Sequence, residues 1–317
     1  MHAAYKHFLQ SPEWAKVNRH SGWQPFEFAH DISAFIKRTP LGNVVYIPGF
    51  APKTQEELEK LTSVVRGLRK NIVLVKVDPC VPEDTETTQW FSKSGWSPAR
   101  SAQYAFTVQL DLTKPQETLL KELKSRARYE VNFALRSNVV VEEVEPTDRE
   151  IERMFELLSE TSKRKDFTIR DKAVTIGTWQ AFRDSNKLKL FFAKHDKKII
   201  SAAVVLTDGK NFAWYKEGAS NPTMSKFFGT RLLLFEAAKT LKKEGYKVFD
   251  LGGVPDPATY EQSHMRGIFI FKTGFNREIM EMMPAYELPL NKTLYRLWPK
   301  LELAYLKQAR LRNKRWY

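Results

Sequence analysis

Metal ligation and triad-type nucleophilic catalysis would draw first on six histidines (His2, His7, His20, His30, His195, His264) and one cysteine, Cys80. They fall in no ligand spacing and near no Ser or Cys motif, so a metal site and a hydrolytic triad both lack support. What remains is charge: 51 Lys+Arg stand against 37 Asp+Glu, a formal net charge of +14. Such an excess attracts phosphate-bearing partners, namely nucleic acid, nucleotide-linked substrates or anionic lipid surfaces.

The cations cluster in two places. Between Leu290 and Tyr317, eight basic residues (Lys292, Arg296, Lys300, Lys307, Arg310, Arg312, Lys314, Arg315) face one acid, Glu302, and hold half of the excess. This tail reads as one helix or two, broken at Pro299, with an apolar stripe through Leu294, Leu297, Trp298, Leu301 and Tyr305. It either docks on the body with a solvated basic side or meets RNA phosphates or an anionic membrane, and both can hold together. The second cluster runs from Lys121 to Arg136 on a helical period that gives a basic face; Asn138 then ends it, and Val139–Val144 reads as a strand.

The elements that position these groups alternate. Helix signals fall at about 10–20, 54–70, 116–136, 148–165, 172–185 and 225–244. Strand signals fall near 25–37, 43–49, 72–78, 104–112, 139–144, 188–194, 199–207, 211–218 and 246–251. That alternation predicts an α/β architecture. Within it one order occurs twice: strand 42–49, helix 54–70, a strand ending in Asp78, then Phe91-Ser-Lys-Ser-Gly-Trp96; and strand 211–218, helix 225–244, a strand ending in Asp250, then Phe271-Lys-Thr-Gly-Phe275. The repeat predicts an internal duplication.

A chain of 317 residues has room for about two domains. The turn-rich Leu112-Thr-Lys-Pro-Gln116 puts a boundary near 113, with residues 1–113 plus 284–317 as one domain and 114–283 as the other. A lone cysteine forms no internal disulfide, the first twenty residues lack a signal-type apolar stretch, and no window approaches the ~18–20 apolar residues of a membrane span. A cytoplasmic protein is expected.

Several segments, in order along the chain, resemble the FemABX family of tRNA-dependent aminoacyltransferases that build peptidoglycan side bridges. They are Ser11-Pro-Glu-Trp-Ala-Lys16 with Gly22-Trp23-x-Pro25, the basic helix ending in Arg136-Ser-Asn-Val-Val-Val, Phe249-Asp-Leu-Gly-Gly253, and Phe271-Lys-x-Gly-Phe275. The resemblance implies two tandem GNAT-like domains. No segment has the charged heptads of the helical arm that some members insert, so a compact, armless member is expected.

It also implies an activity: transfer of Gly, Ala or Ser from aminoacyl-tRNA to the stem peptide of a precursor, either UDP-MurNAc-pentapeptide or lipid II, without metal or organic cofactor. Acyl transfer passes through a tetrahedral oxyanion, and the resemblance makes Lys272, flanked by Phe271 and Phe275, the cation for it. Lys16 and Arg170 are the implied phosphate ligands, a point charge and a fork. Tyr215 is a candidate channel residue, and Phe228 stands near a position where members carry a tyrosine. Asp250 is a candidate base for the incoming amine, although Asp-Leu-Gly-Gly also makes a strand-to-loop turn in which Gly252 and Gly253 allow positive φ. A monomer in peripheral contact with the inner membrane face is the expected state.

Three other readings stay open. A GNAT-type N-acyltransferase would hold coenzyme A pyrophosphate at a helix N-terminus, but Lys226-Phe-Phe-Gly-Thr-Arg231 places an Arg where a small residue belongs. An aminoacyl-tRNA–protein transferase shares donor and chemistry. A non-catalytic RNA-binding protein has the basic charge in its favour and no RNP or KH motif.

Overall fold

The computed structural model describes residues 6–17, 23–26, 28, 32–68, 71–165 and 167–311. Its contacts divide the chain into a central unit, Phe106–Met280, and a terminal unit built from the residues on either side.

The terminal unit begins with α1 (Pro12–Val17), the short strand β1 (Gln24–Phe26) and β2 (Ala34–Thr39). The single strand expected over 25–37 is thus a hairpin, β1 pairing antiparallel with β2. β3 (Gly42–Pro48), α2 (Gln55–Gly67) and β4 (Ile72–Asp78) follow as a strand–helix–strand unit whose strands pair in parallel. Thr54 starts α2 by accepting the Glu57 N–H at 3.2 Å, as an N-cap should. α3 (Thr85–Lys93), capped by Asp84, and β5 (Ser97–Ala99) complete this half. The core lies between the sheet and α2 and α3, where Phe91 stacks on Tyr286 at 4.0 Å.

The central unit opens with β6 (Phe106–Asp111), α4 (Gln116–Glu122) and α5 (Ser125–Arg136). One helix over 116–136 is expected from periodicity, but Leu123 and Lys124 are extended. The break has a tertiary cause: the Lys124 N–H donates to Gly274 O at 2.9 Å, and Leu123 is buried. Next come β7 (Val140–Val144), α6 (Asp148–Lys165), α7 (Lys172–Arg183), β8 (Leu188–His195), β9 (Lys198–Thr207) and β10 (Phe212–Ser220). A 3₁₀ turn at Pro222–Phe227 leads into α8 (Gly229–Lys243), then β11 (Val248–Val254), α9 (Arg266–Lys272) and the two-residue β12 (Met280–Glu281). The sheet order is β12-β6-β11-β10-β9-β8-β7, with only β10 and β11 parallel among the pairs from β6 to β7. Leu232, Leu233, Leu234 and Leu241 of α8 and Ala127, Val131 and Ala134 of α5 fill its core. The sequence expectation sets β6 before the boundary at 113; its ladder with β11 ties it to the central sheet.

The chain then returns to the terminal unit through β13 (Ala285–Pro289), giving the order β1-β2-β3-β4-β13-β5, and ends its described part in α10 (Lys292–Tyr295) and α11 (Trp298–Leu311). The helix break falls before Pro299, which sits in the first turn of α11 where its missing N–H costs nothing. α11 docks through fully buried Trp298 and through Glu302, whose carboxylate lies 2.6 Å from the Lys76 Nζ. Arg312, Lys314 and Arg315 of the basic tail, with Gly22 of the N-terminal motif and His2, His20 and His30, lie outside the described residues. Among the described residues the longest helix is α6, 18 residues, and there is no long helical arm. None of their helices is long and apolar enough to cross a membrane.

Candidate active site

The two units repeat the strand–helix–strand order and differ in chemistry at its end. In the terminal unit, Asp78 closes β4 by accepting hydrogen bonds from the Ala102 N–H, the Gln103 N–H and the Tyr46 hydroxyl. α3 then ends in Lys93, which is exposed. In the central unit α9 ends in Lys272, and this lysine folds inward. Its Nζ donates to Gly253 O at 2.9 Å and lies 6.0 Å from the centre of the Tyr215 ring. Lys272 therefore closes a helix.

A gap in the sheet receives it. The parallel ladder of β10 and β11 stops at Trp214 and Asp250, although both strands continue, to Ser220 and Val254. At the stop each strand bulges against its outer neighbour, β10 between Tyr215 and Glu217 and β11 between Asp250 and Gly253. Bulges re-aim side chains, and the carboxyl ends of parting parallel strands are where open α/β sheets place their ligands. Gly252 has φ +79, a conformation glycine adopts freely, and a Cβ there would stand 3.3 Å from the Lys272 Nζ.

Asp250 fixes this bulge. It is 6% exposed; one carboxylate oxygen accepts from the Thr107 hydroxyl and the Gly252 N–H, both at 2.6 Å, and the other from the Gln109 amide at 2.9 Å. Burial pushes its carboxyl up from the usual range against those hydrogen bonds and the nearby Lys272 charge. With both oxygens engaged, it holds the loop and a negative charge beside Lys272. Burial pulls the Lys272 ammonium down to about 8, and the Asp250 charge opposes that fall. Replacing Asp250 by Asn keeps an acceptor for Thr107 and Gly252, and the Gln109 amide can turn to match. The lost charge lowers the Lys272 value further, so the alkaline limb of the pH–rate profile should move to lower pH. A profile unchanged from wild type would contradict this electrostatic role.

Tyr215 covers Lys272. It is half-buried, and burial followed by the charge of Glu217 pushes its phenol up from the usual value. Its ring lies over Gly218, where a Cβ would meet the hydroxyl at 1.7 Å and Cζ at 2.7 Å. Gly218→Ala should therefore displace the ring, at about 1–3 kcal/mol as in other overpacked sites. In thermal or urea unfolding, Tyr215→Ala should relieve most of that cost when the two are combined; additive losses would mean that the ring does not occupy this space.

Beside the cluster lies a cavity of about 610 Å³, lined among others by Lys124, Arg126, Phe228, Arg231, Ile270 and Phe271, at the N-terminus of α8. Phe228, the residue before α8, has φ 52 and ψ 31, a left-handed conformation that is costly for a bulky side chain. Arg231 is the residue whose importance sequence reasoning missed. Expected to crowd this helix end, it instead turns inward, 6% exposed, lining the cavity wall. Its Nε lies 2.9 Å from Glu130, Nη1 donates to Phe271 O at 2.5 Å, and its guanidinium lies over the rings of Phe271 and Phe275 at 4.3 and 4.7 Å. Gly274 makes room for it, since a Cβ there would sit 2.8 Å from Nη1.

The structure thus gathers Lys272, Asp250 and Tyr215 at the bulged strands and sets Phe271 and Phe228 on the adjoining cavity. Arg170, half-buried, lies in the same unit just before α7, where its carbonyl accepts from the Thr175 hydroxyl at 3.1 Å. Lys16 is exposed in the last turn of α1, in the terminal unit. Among the described residues no group of His, Cys, Asp and Glu side chains could hold a metal ion.

Residues 178–302 match the model of the FemAB family. A Staphylococcus epidermidis protein named lipid II:glycine glycyltransferase is 22% identical, over 93% of this chain and 90% of its own. One of the same name from Staphylococcus haemolyticus is 20% identical, over 95% and 93%. Among solved structures, the crystal structure of FemX superposes with a TM-score of 0.81 at 19% identity, covering 93% of this chain and 95% of the other. The fold is that of the FemX structure, two α/β units each built on its own mixed sheet, and among the described residues there is no coiled-coil arm.

Proposed function

We propose that this chain, a FemABX-family acyltransferase, moves an amino acid from the 3′ ester of aminoacyl-tRNA to an amine on the stem peptide of a peptidoglycan precursor. Lipid II and glycine, for which its relatives are named, are the first acceptor and first amino acid to test. The observation that carries the reading is the Lys272 ammonium, held on Gly253 O in a gap between parting strands beside a cavity with cationic walls.

The chemistry needs little more. The acceptor amine attacks the ester carbonyl, a tetrahedral oxyanion forms, and the C–O bond to the ribose breaks as the amide forms, the proton lost by the amine passing to the ribose 3′ oxygen, which leaves as the hydroxyl. An ammonium carries three N–H donors, so the one on Gly253 O leaves two for the oxyanion. Asp250 keeps the bulge and the local charge in place and is in this reading a positioning residue. Tyr215 shields the ammonium from water, which strengthens its interaction with the oxyanion. The 3′ end of the donor would occupy the cavity wall of Phe228 and Phe271, and Arg170, in the same unit, would take a phosphate of the precursor. Arg296, Lys300 and Lys307, exposed on and beside α11, support peripheral contact with the anionic membrane that carries a lipid-linked acceptor.

The test is direct. Purified protein, charged tRNA and either a UDP-linked or a lipid-linked muramyl-pentapeptide should yield a peptide one amino acid heavier. No product with glycyl-, alanyl- or seryl-tRNA on either acceptor would sink the proposal, and acyl transfer from coenzyme A thioesters instead would favour an ordinary N-acyltransferase.

A further inference from the structure

α5 buries Ala127, Glu130, Val131 and Ala134 and turns a different set outward. Arg126, Tyr129, Phe133 and Arg136 follow one another at spacings of three, four and three, which places them in one stripe along the helix. Arg126, Tyr129 and Arg136 are exposed and Phe133 is half-buried. Tyr129 is 55% exposed, a large aromatic left on a helix that already has a complete apolar face. The rings are organised: Tyr129 and Phe133 lie 6.0 Å apart, and Phe228 meets them edge-on at 6.5 and 5.5 Å. Phe228 and Arg126 also line the cavity, whose wall includes Phe271, the neighbour of Lys272. The stripe thus runs along α5 to the cavity mouth.

Aromatic rings flanked by arginines are what single-stranded nucleic acid needs: bases stack on rings and arginines meet phosphates, without sequence readout. A lipid surface would call for aliphatic side chains around the cations, and those are absent from this stripe. From Arg126 to Arg136 the helix rises about 15 Å, room for about four stacked nucleotides at ~3.4 Å each.

We propose that the Arg126–Tyr129–Phe133–Arg136 stripe, with Phe228, is a stacking track for the unpaired 3′ nucleotides of an RNA, delivering its terminal residue to the cavity beside Lys272. The inference rests on the reading of aminoacyl-tRNA as donor, and its test is separable because it needs no transfer. The probes are two uncharged RNA hairpins with the same stem, one with four unpaired 3′ nucleotides and one blunt, titrated by fluorescence anisotropy.

Wild-type protein should prefer the overhang. Tyr129→Ala and Phe133→Ala should each weaken overhang binding roughly 5- to 150-fold, while Tyr129→Trp retains it. Arg126→Gln and Arg136→Gln should each reduce the slope of log K against log salt by about 0.7. Circular dichroism melts confirm that the exposed Tyr129 variant folds. Equal binding of the two hairpins, or an unchanged affinity in both alanine variants, overturns the track. Overhang binding that depends on Tyr129, without aminoacyl product on any acceptor, upholds the track and removes the transferase reading. Product formation with binding indifferent to Tyr129 and Phe133 does the reverse.

Discussion

If Lys272 is the proposed oxyanion donor, Lys272→Ala should lower aminoacyl transfer by about 10²–10³-fold and leave the fold standing, because removing one preformed oxyanion donor costs about 2.7–4 kcal/mol in comparable sites. The loss belongs in the chemical step, so single-turnover transfer from preloaded tRNA is the measurement. Lys272→Arg should not restore the rate: the guanidinium is broader than the ammonium, and Gly252, 3.3 Å from Nζ at its Cβ position, marks how closely the strand is drawn. The pH dependence supplies an independent check. With the ammonium drawn down to about 8, the proposed oxyanion donor is protonated well below that value and is lost progressively above it. Transfer should climb with pH as the free-base fraction of the acceptor amine grows, then stop climbing as pH passes about 8, where loss of the Lys272 ammonium cancels that gain. A Lys272→Ala enzyme within threefold of wild type, or a wild-type rate still climbing well above pH 8, would remove Lys272 from the oxyanion.

Much of this frame is legible in the sequence because its cause is local. β3-α2-β4 and β10-α8-β11 declare themselves through β-branched runs and helical periods, and the matched aspartates and Lys-x-Gly-aromatic endings mark them as repeats. Helix α9 hides for an equally local reason: Ile268-Phe-Ile-Phe271 is a short continuous apolar run, which periodicity cannot assign to helix or strand, and α9 is only seven residues long. What decides the site is non-local. Asp250 reads as a possible base until Thr107 and Gln109, 143 and 141 residues away, take up its oxygens. The break between α4 and α5 depends on Gly274 O, and no pattern within 116–136 announces it. Lys93 and Lys272 stand in the same motif; only the tertiary gap between β10 and β11 tells them apart.

Arg231→Ala should strongly destabilise the central unit. It removes the inner partner of Glu130, a carboxylate that is 7% exposed, and breaking a buried pair by deleting one member costs about 3–5 kcal/mol. Arg126 also reaches Glu130, at 3.0 Å, but its side chain is 83% exposed and screened by solvent, so it offsets little of the loss. The same change withdraws the donor on Phe271 O and the cation between Phe271 and Phe275, the contacts that set the segment carrying Lys272. Stability and positioning can be separated. Arg231→Met combined with Glu130→Leu replaces the pair with apolar side chains, which in buried sites is often neutral, so urea unfolding of the double variant should recover most of the loss. Transfer should stay well below wild type, because a thioether neither hydrogen-bonds Phe271 O nor holds two rings by charge. The alkaline limb should shift as well, since Lys272 no longer keeps a fixed distance from Asp250. A double variant with wild-type stability, rate and pH profile would mean that α9 packs correctly without Arg231, and that the arginine serves the core alone.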